Sequence, residues 1–265
     1  MKPYYQDNAV KIFNADSLEV LAAMTETVSA IVTDPPYCSG ATETARRGKR
    51  AALTPESVTA RPTIELDAMG SLGFEWVMRT WLLLARKITA EGGHVACFID
   101  WRMMPPLSVA IESAGWRWNN VLVWDKGYPG LGTGFRAQHE FCLLASNGPP
   151  VWHSYQYGNV LQDMRLTKTD HPHQKPTGLI GKILETCTKE GDVVLDPFMG
   201  SGSTLLECKR RGRRAVGIDL AEAHCETAAK RCAAEMDFHT ANPTGQPPPR
   251  FGGGSVAPGC STPNG

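Results

Sequence analysis

Four consecutive residues of this chain, Asp34-Pro35-Pro36-Tyr37, set an acid, two rigid imino acids and an aromatic at the end of an apolar run over 30–33. At average residue usage such a tetrapeptide arises by chance in about one of a thousand chains of this length. The residue types suit one kind of chemistry. An exocyclic amine on a heterocycle is a poor nucleophile because its lone pair is delocalised into the ring. If the Asp34 carboxylate and the Pro35 carbonyl accept its two hydrogens, the nitrogen becomes pyramidal and its lone pair can be aimed at a methyl donor. The two prolines stiffen the backbone, so both acceptors are preorganised. Tyr37 supplies a face on which an extruded base can stack. A rigid turn closing a strand would account for the prolines, but not for an acid and an aromatic flanking them.

A second cluster is Asp196-Pro197-Phe198-Met199-Gly200-Ser201-Gly202-Ser203-Thr204. It follows the apolar run 193–195 and opens a helical pattern, the place where α/β sheets bind ligands. Gly200 and Gly202 allow close approach of the backbone. Asp219 ends the next apolar run, 215–218, as a carboxylate suited to ribose hydroxyls. A nicotinamide fingerprint would require a third glycine where Leu205 stands. Asp196 would repel a pyrophosphate and attract an ammonium, so an adenosine-type cofactor fits better than a dinucleotide.

The elements that must position these clusters are legible from periodicity. Strands are predicted over 11–14, 30–33, 94–99, 120–124, 140–145, 193–195 and 215–218. Helices are predicted over 17–24, 73–88, 105–114, 177–188, 203–211 and 222–236. This alternation points to a mostly parallel sheet covered on both faces. Residues 38–70 lack periodicity and carry Arg46, Arg47, Lys49 and Arg50, the pattern of a functional loop. The last 29 residues, 237–265, contain 12 Pro or Gly and little to bury, and are expected to be a disordered tail.

Composition narrows the class further. The chain has 265 residues, 42% hydrophobic and 20% charged, with no apolar run approaching a membrane span and no secretory signal at its start. A cytoplasmic protein is expected. Its 27 basic and 27 acidic residues balance, so any nucleic-acid contact must come from local clusters. The eight cysteines form no C-x-x-C pair and read as reduced thiols packed like small hydrophobes.

Asp-Pro-Pro-Tyr followed by Asp-Pro-Phe-x-Gly-x-Gly-Ser-Thr resembles the DNA amino-methyltransferases that modify adenine at N6 or cytosine at N4. The catalytic motif precedes the cofactor motif, which is the order of the beta class. The blocks at 98–102, 124–126 and 139–141 resemble its prophage-borne branch, and the resemblance runs over about 11–235. It implies a Rossmann-like fold with a seven-stranded, mostly parallel sheet in permuted chain order, and S-adenosylmethionine as cofactor.

By that resemblance Asp34, Pro35, Pro36 and Tyr37 form the catalytic motif. Asp196, Pro197, Phe198, Gly200, Ser201, Gly202, Ser203, Thr204 and Asp219 line the cofactor site, with Phe198 packing in its pocket. Lys175, within His171-Pro172-His173-Gln174-Lys175-Pro176, implies a lysine near the methionine carboxylate. Asp16 implies an acceptor for the adenine amine. Each of the last two has a plainer reading: Asp16 as the cap of the helix starting at Ser17, and Lys175 as a solvated lysine. Trp101, Trp116, Trp118 and Trp124 read as core residues rather than a stacking platform.

The implied activity is methyl transfer to adenine N6 in double-stranded DNA, because the motif opens with aspartate. Cytosine N4 is the alternative, and a non-catalytic DNA-binding regulator is a rival of another class. Direct methyl transfer needs no metal, and none is expected. Residues 1–236 would form the catalytic domain. Larger relatives carry a separate recognition region; here only 147–170 is available for one. Sequence reading would then fall to 38–70, with Arg46, Arg47, Lys49 and Arg50 on phosphates, to the loops 126–138 and 149–170, or to a second subunit. A homodimer is therefore expected, with a restriction endonuclease as a possible further partner.

Overall fold

The chain alternates strands and helices around one sheet. The structure is a computed structural model, and it describes residues 1–36, 70–130, 134–163 and 175–235. The strands are β1 (Tyr5–Gln6), β2 (Val10–Asn14), β3 (Val28–Thr33), β4 (Thr89–Ile99), β5 (Arg117–Asp125), β6 (His139–Ser146), β7 (Val160–Gln162), β8 (Val193–Asp196) and β9 (Arg214–Asp219). The helices are α1 (Ser17–Ala23), α2 (Ser71–Ile88), α3 (Met104–Ser113), α4 (Thr177–Cys187), α5 (Ser203–Arg210) and α6 (Glu222–Ala234). The sheet order is β1-β2-β9-β8-β3-β4-β6-β5-β7.

The seven expected strands are all present. Two short flanking strands, β1 and β7, lengthen the sheet to nine among the described residues. They are two and three residues long, too short to leave a periodic trace in sequence. The central strands β2, β9, β8, β3 and β4 run parallel, whereas β6 lies antiparallel between β4 and β5.

Among the described residues, each face of the sheet carries three helices. In β4, Val95, Cys97 and Ile99 pack against one core, with α1, α2 and α3, while Ala96 and Phe98 pack against the other, with α4, α5 and α6. That is the period-2 alternation of a strand buried on both sides. In β3 the alternation breaks between Val28 and Ala30, where the register against β4 also shifts. Helix α2 explains itself: Phe74, Met78, Trp81, Leu82, Ala85 and Ile88 form one buried stripe, and Arg86 and Lys87 in its last turn complement the helix dipole. Helix α3 begins with Pro105 and Pro106, which tolerate the first turn because its donors have no partner within the helix.

Cys97, Cys142, Cys187, Cys208, Cys225 and Cys232 are buried and unbridged, and burial pushes every one of their thiols up in pKa. They pack as the sequence led one to expect. Trp116 and Trp124 are buried and Trp118 lies against the core, but Trp101 is exposed. It stands just past Ile99, the last residue of β4, where the chain has left the sheet and the two cores that cover it. No helix among the described residues is long and apolar enough to cross a membrane.

Candidate active site

The crossover from β8 leads through α5 to β9, and the crossover from β3 leads through α2 to β4, on the opposite side. The adjacent strands β3 and β8 therefore diverge in their connections, which opens a crevice at their carboxyl ends. Both motifs sit there. Asp34, Pro35 and Pro36 follow β3, and the glycine turn follows β8. Ala30 and Ile31 pair with Val194 and Leu195, which brings the two strand ends level. A side-chain bond joins them: Thr33 Oγ1 donates to Asp196 Oδ1 at 2.8 Å.

Asp196 corrects one expectation. Rather than presenting an open carboxylate to an ammonium, it is almost wholly buried and accepts hydrogen bonds from Thr33, from the Phe198 amide at 3.2 Å and from Thr204. Burial outweighs these bonds and pushes its carboxyl up to about 7. Its part is to hold the turn. Pro197 is buried beside it, and Phe198 leans on Trp81 of α2 with ring centroids 5.9 Å apart.

The turn itself needs its glycines for two different reasons. Gly200 and Gly202 have φ of 51° and 79°, the left-handed region where a Cβ is strained. A Cβ on Gly202 would also lie 2.8 Å from the Ala228 methyl of α6, so this glycine serves packing. A Cβ on Gly200 would meet nothing within 4 Å, so here the backbone borders open space. Ser201 is clamped by Arg231 of α6, which donates to its carbonyl and, at 3.0 Å, to its hydroxyl. Ser203 and Thr204 start α5 and are buried, and the Ser203 hydroxyl has no hydrogen-bond partner among the described residues.

Asp219 ends β9 at the same edge. Its carboxylate accepts from the Gly200 amide at 3.0 Å and the Ala221 amide at 2.9 Å, and His224 Nδ1 lies 3.1 Å away. Next to it, Asn14 closes β2 and donates to the Asp219 and Leu220 carbonyls. Asp16 caps α1, its Oδ1 accepting from the Leu18 amide at 2.7 Å. Open space beside Gly200, carboxylates at two neighbouring strand ends, an unpartnered buried hydroxyl and the Phe198 ring together fit an adenosine-type ligand.

Lys175 departs from its plainer reading. As a solvated lysine it would extend into water, yet its side chain is only 10% exposed and its ammonium lies 2.7 Å from Asp34 Oδ2 and 2.9 Å from Glu140 Oε2. The rings of Phe98 and Trp124 lie at 5.3 and 5.8 Å from it. Burial works against the ammonium, but the two carboxylates outweigh it and raise its pKa. Glu140 is paired in turn with Lys126. Burial works against its charge as well, but the two lysines prevail and draw it down to about 2. Glu140 and Lys126 were not among the expected site residues. The available signal was a charge inside the apolar strand 140–145, immediately before Phe141.

Tyr37, Arg46, Arg47, Lys49 and Arg50 lie outside the described residues, as do His171 and His173, most of the 38–70 loop and the tail from 237. Of the expected site residues that are described, Asp34, Pro35, Pro36, Lys175, Asp196, Pro197, Phe198, Gly200, Ser201, Gly202, Ser203, Thr204, Asp219 and Asp16 all lie on elements that reach this one edge of the sheet.

Comparison with known proteins identifies the family. A family model described as DNA methylase, of the N6/N4 methyltransferases, matches residues 28–230. The Type II methyltransferase M2.DpnII of Streptococcus pneumoniae is 30% identical over 259 residues, covering 89% of this chain and 94% of that protein. Among solved structures, the M1.HpyAVI complex with SAM has a TM-score of 0.61 at 24% identity, covering 84% of this chain and 99% of that one. The PvuII DNA methyltransferase, cytosine-N4-specific, has a TM-score of 0.67 at 16% identity, covering 87% and 88%. With both motifs at one crevice and a family match over most of its length, the chain belongs to the N6-adenine and N4-cytosine DNA methylases and is a DNA methyltransferase of that type.

Proposed function

We propose that the protein transfers a methyl group from S-adenosylmethionine to the N6 amine of adenine in double-stranded DNA. The observation that carries this reading is the 2.8 Å bond between Thr33 and Asp196, which holds the Asp-Pro-Pro segment against the glycine turn. The cofactor supplies an electrophilic methyl group. Asp219 and Asp16 bind its ribose and adenine, Phe198 packs on it, and the Gly200–Thr204 turn carries its remaining contacts. Asp34 and the Pro35 carbonyl accept the hydrogens of the target amine, and Tyr37 stacks on the extruded base. Catalysis then rests on positioning and on acceptors fixed before the reaction.

Aspartate as the first motif residue favours adenine, since a carboxylate is a stronger acceptor than the serine expected in cytosine-N4 relatives. The fold is neutral on the base, because a cytosine-specific enzyme shares it. Exposed Trp101, Tyr128 and Phe135 lie by the ends of β4 and β5, at the edge that carries Asp34, and support DNA contact through the 126–138 loop. We assign Arg46, Arg47, Lys49 and Arg50 to phosphates, 38–70 and 147–170 to duplex recognition, 1–236 to the catalytic domain and 237–265 to a tail without a core.

A homodimer fits the small recognition region. Leu72, Trp76 and Leu83 leave an apolar stripe exposed on α2, at the spacing of one helix face, where a second copy could bind. A restriction endonuclease would be a functional counterpart, and the cytoplasm the place of action. The test is to incubate the protein with S-adenosylmethionine and duplex DNA, then weigh the digested nucleosides. N6-methyladenine is the expected product. N4-methylcytosine alone would overturn the base assignment, and no methylated nucleoside would favour the non-catalytic regulator.

A further inference from the structure

Four charged side chains from separate parts of the chain alternate in sign along the edge of the sheet that carries Asp34: Lys126, Glu140, Lys175 and Asp34. Lys175 alone would neutralise Asp34, so the second pair needs its own explanation. We infer that Glu140 is a positioning residue for methyl transfer: anchored by Lys126, it holds the Lys175 ammonium against Asp34 and so sets the orientation of the carboxylate that receives the target amine. The inference rests on the proposed function and adds two residues to it.

The mounting of the four groups supports this. Glu140 lies opposite Trp124 in the β5–β6 ladder, and the next residue, Phe141, lies opposite Ile99 in the β4–β6 ladder. The glutamate is thus carried by a strand braced on both sides, the kind of support that holds a side chain to a fraction of an ångström. Lys175 is mounted differently: it precedes α4, outside the sheet, and its side chain has four rotatable bonds. Carboxylates at 2.7 and 2.9 Å and the rings of Phe98 and Trp124 remove that freedom. Asp34, at the end of β3, then has one oxygen held by a fixed ammonium, and the plane of its carboxylate is set before the base arrives. Misplacing a reacting group by about 1 Å can lower a rate on the order of a hundredfold.

The charge of Glu140 matters as well as its shape. Among the described residues, the titratable groups near Lys175 include Asp34 at the end of β3, Glu140 and Cys142 on β6, and Cys97 on β4. Lys126 stands behind Glu140, and Asp196 lies on β8 beyond Asp34. The thiols are held neutral by burial, so the carboxylates keep the lysine protonated. Removing the Glu140 charge should let Lys175 lose its proton at lower pH. Removing Lys126 should act in the opposite direction, since it takes away a neighbouring cation.

The test compares the full-length wild type with Glu140→Gln and Lys126→Met on a duplex that the wild type methylates. For Glu140→Gln, kcat should fall by about tenfold to a hundredfold, with KM for DNA and Kd for S-adenosylmethionine within about twofold of wild type. The alkaline limb of its kcat–pH profile should move down by about one unit, because one carboxylate no longer supports the ammonium. Lys126→Met should lower kcat by roughly threefold or more as Glu140 loses its anchor, with the alkaline limb unmoved or shifted upward. A Glu140→Gln enzyme with kcat within twofold of wild type would overturn the inference. So would a loss of kcat matched by an equal loss of cofactor affinity with the limb in place, since that is the mark of a merely structural residue. If Glu140→Gln does not fold, Lys126→Met decides, and an unchanged kcat there rejects the inference. A wild type that methylates no duplex would instead remove the proposed function, and the inference with it.

Discussion

Thr33 and Asp196 lie 163 residues apart in sequence, yet the Thr33 hydroxyl donates to the Asp196 carboxylate at 2.8 Å and ties the two motif-bearing strands together at their ends. Both side chains are buried. Replacing Thr33 by valine keeps the size and removes the donor, leaving a buried carboxyl short of one partner. Thr33→Val should therefore destabilise the protein by about 1–3 kcal/mol. Urea denaturation followed by circular dichroism measures this, and an unchanged midpoint would show that the bond contributes nothing net.

The raised pKa of Asp196 gives stability a pH dependence of definite sign. Its carboxyl titrates near 7 in the fold, against 3.8 for an unperturbed aspartate, because burial disfavours the charge. Between these values the folded state keeps a proton that the unfolded chain has released, so the stability linked to this group falls as pH rises from 3.8 towards 7. Above that window there is no further loss. Asp196→Asn cannot ionise, so the gap in melting temperature between variant and wild type should shift in the variant's favour from pH 5 to pH 8. A gap independent of pH would mean that Asp196 does not titrate in this range.

Asp34→Ala should abolish methylation while leaving the Kd for S-adenosylmethionine within about twofold, since the proposed role of the carboxylate is toward the target amine rather than the cofactor. The variant should still fold, because Lys175 keeps its contact with Glu140. Single-turnover assays and calorimetry separate the two effects. A variant that retained most of its turnover would place the catalytic centre elsewhere.

Asp219→Ala should weaken cofactor binding by about 1–3 kcal/mol. Besides losing the proposed acceptor for ribose, the variant leaves the Gly200 amide without its 3.0 Å partner and loosens the turn. Isothermal titration would detect the change, and equal affinity would take Asp219 out of the site.

Replacing Arg46, Arg47, Lys49 and Arg50 by alanine should weaken duplex binding and flatten its dependence on salt, by up to roughly 0.9 in log–log slope for each phosphate that is no longer neutralised. Fluorescence anisotropy over a salt series gives the slope. The same slope in both proteins would make the cluster a solvated loop.

The sequence by itself determined where the two motifs stand along the chain and which elements carry them. Each motif closes or follows a short apolar run, and each run is long enough for its period to identify a strand or helix, because burying one face demands a regular pattern of apolar residues. The same pattern identified the buried cysteines, whereas the positive φ of Gly200 and Gly202, and the packing of Gly202 on Ala228, came from the structure. Which strand ends lie side by side was decided only by the tertiary structure. Periodicity records that a face is buried, not what it is buried against. Asp34, Lys126, Glu140 and Lys175 come from four regions whose neighbourhood depends on β6 inserting antiparallel between β4 and β5. Read singly, each is a polar residue near an apolar run. Asp196 looked like an open ligand for the same reason: that its carboxylate turns inward depends on a hydroxyl at Thr33, on a strand far away in sequence, and folding alone brings the two together.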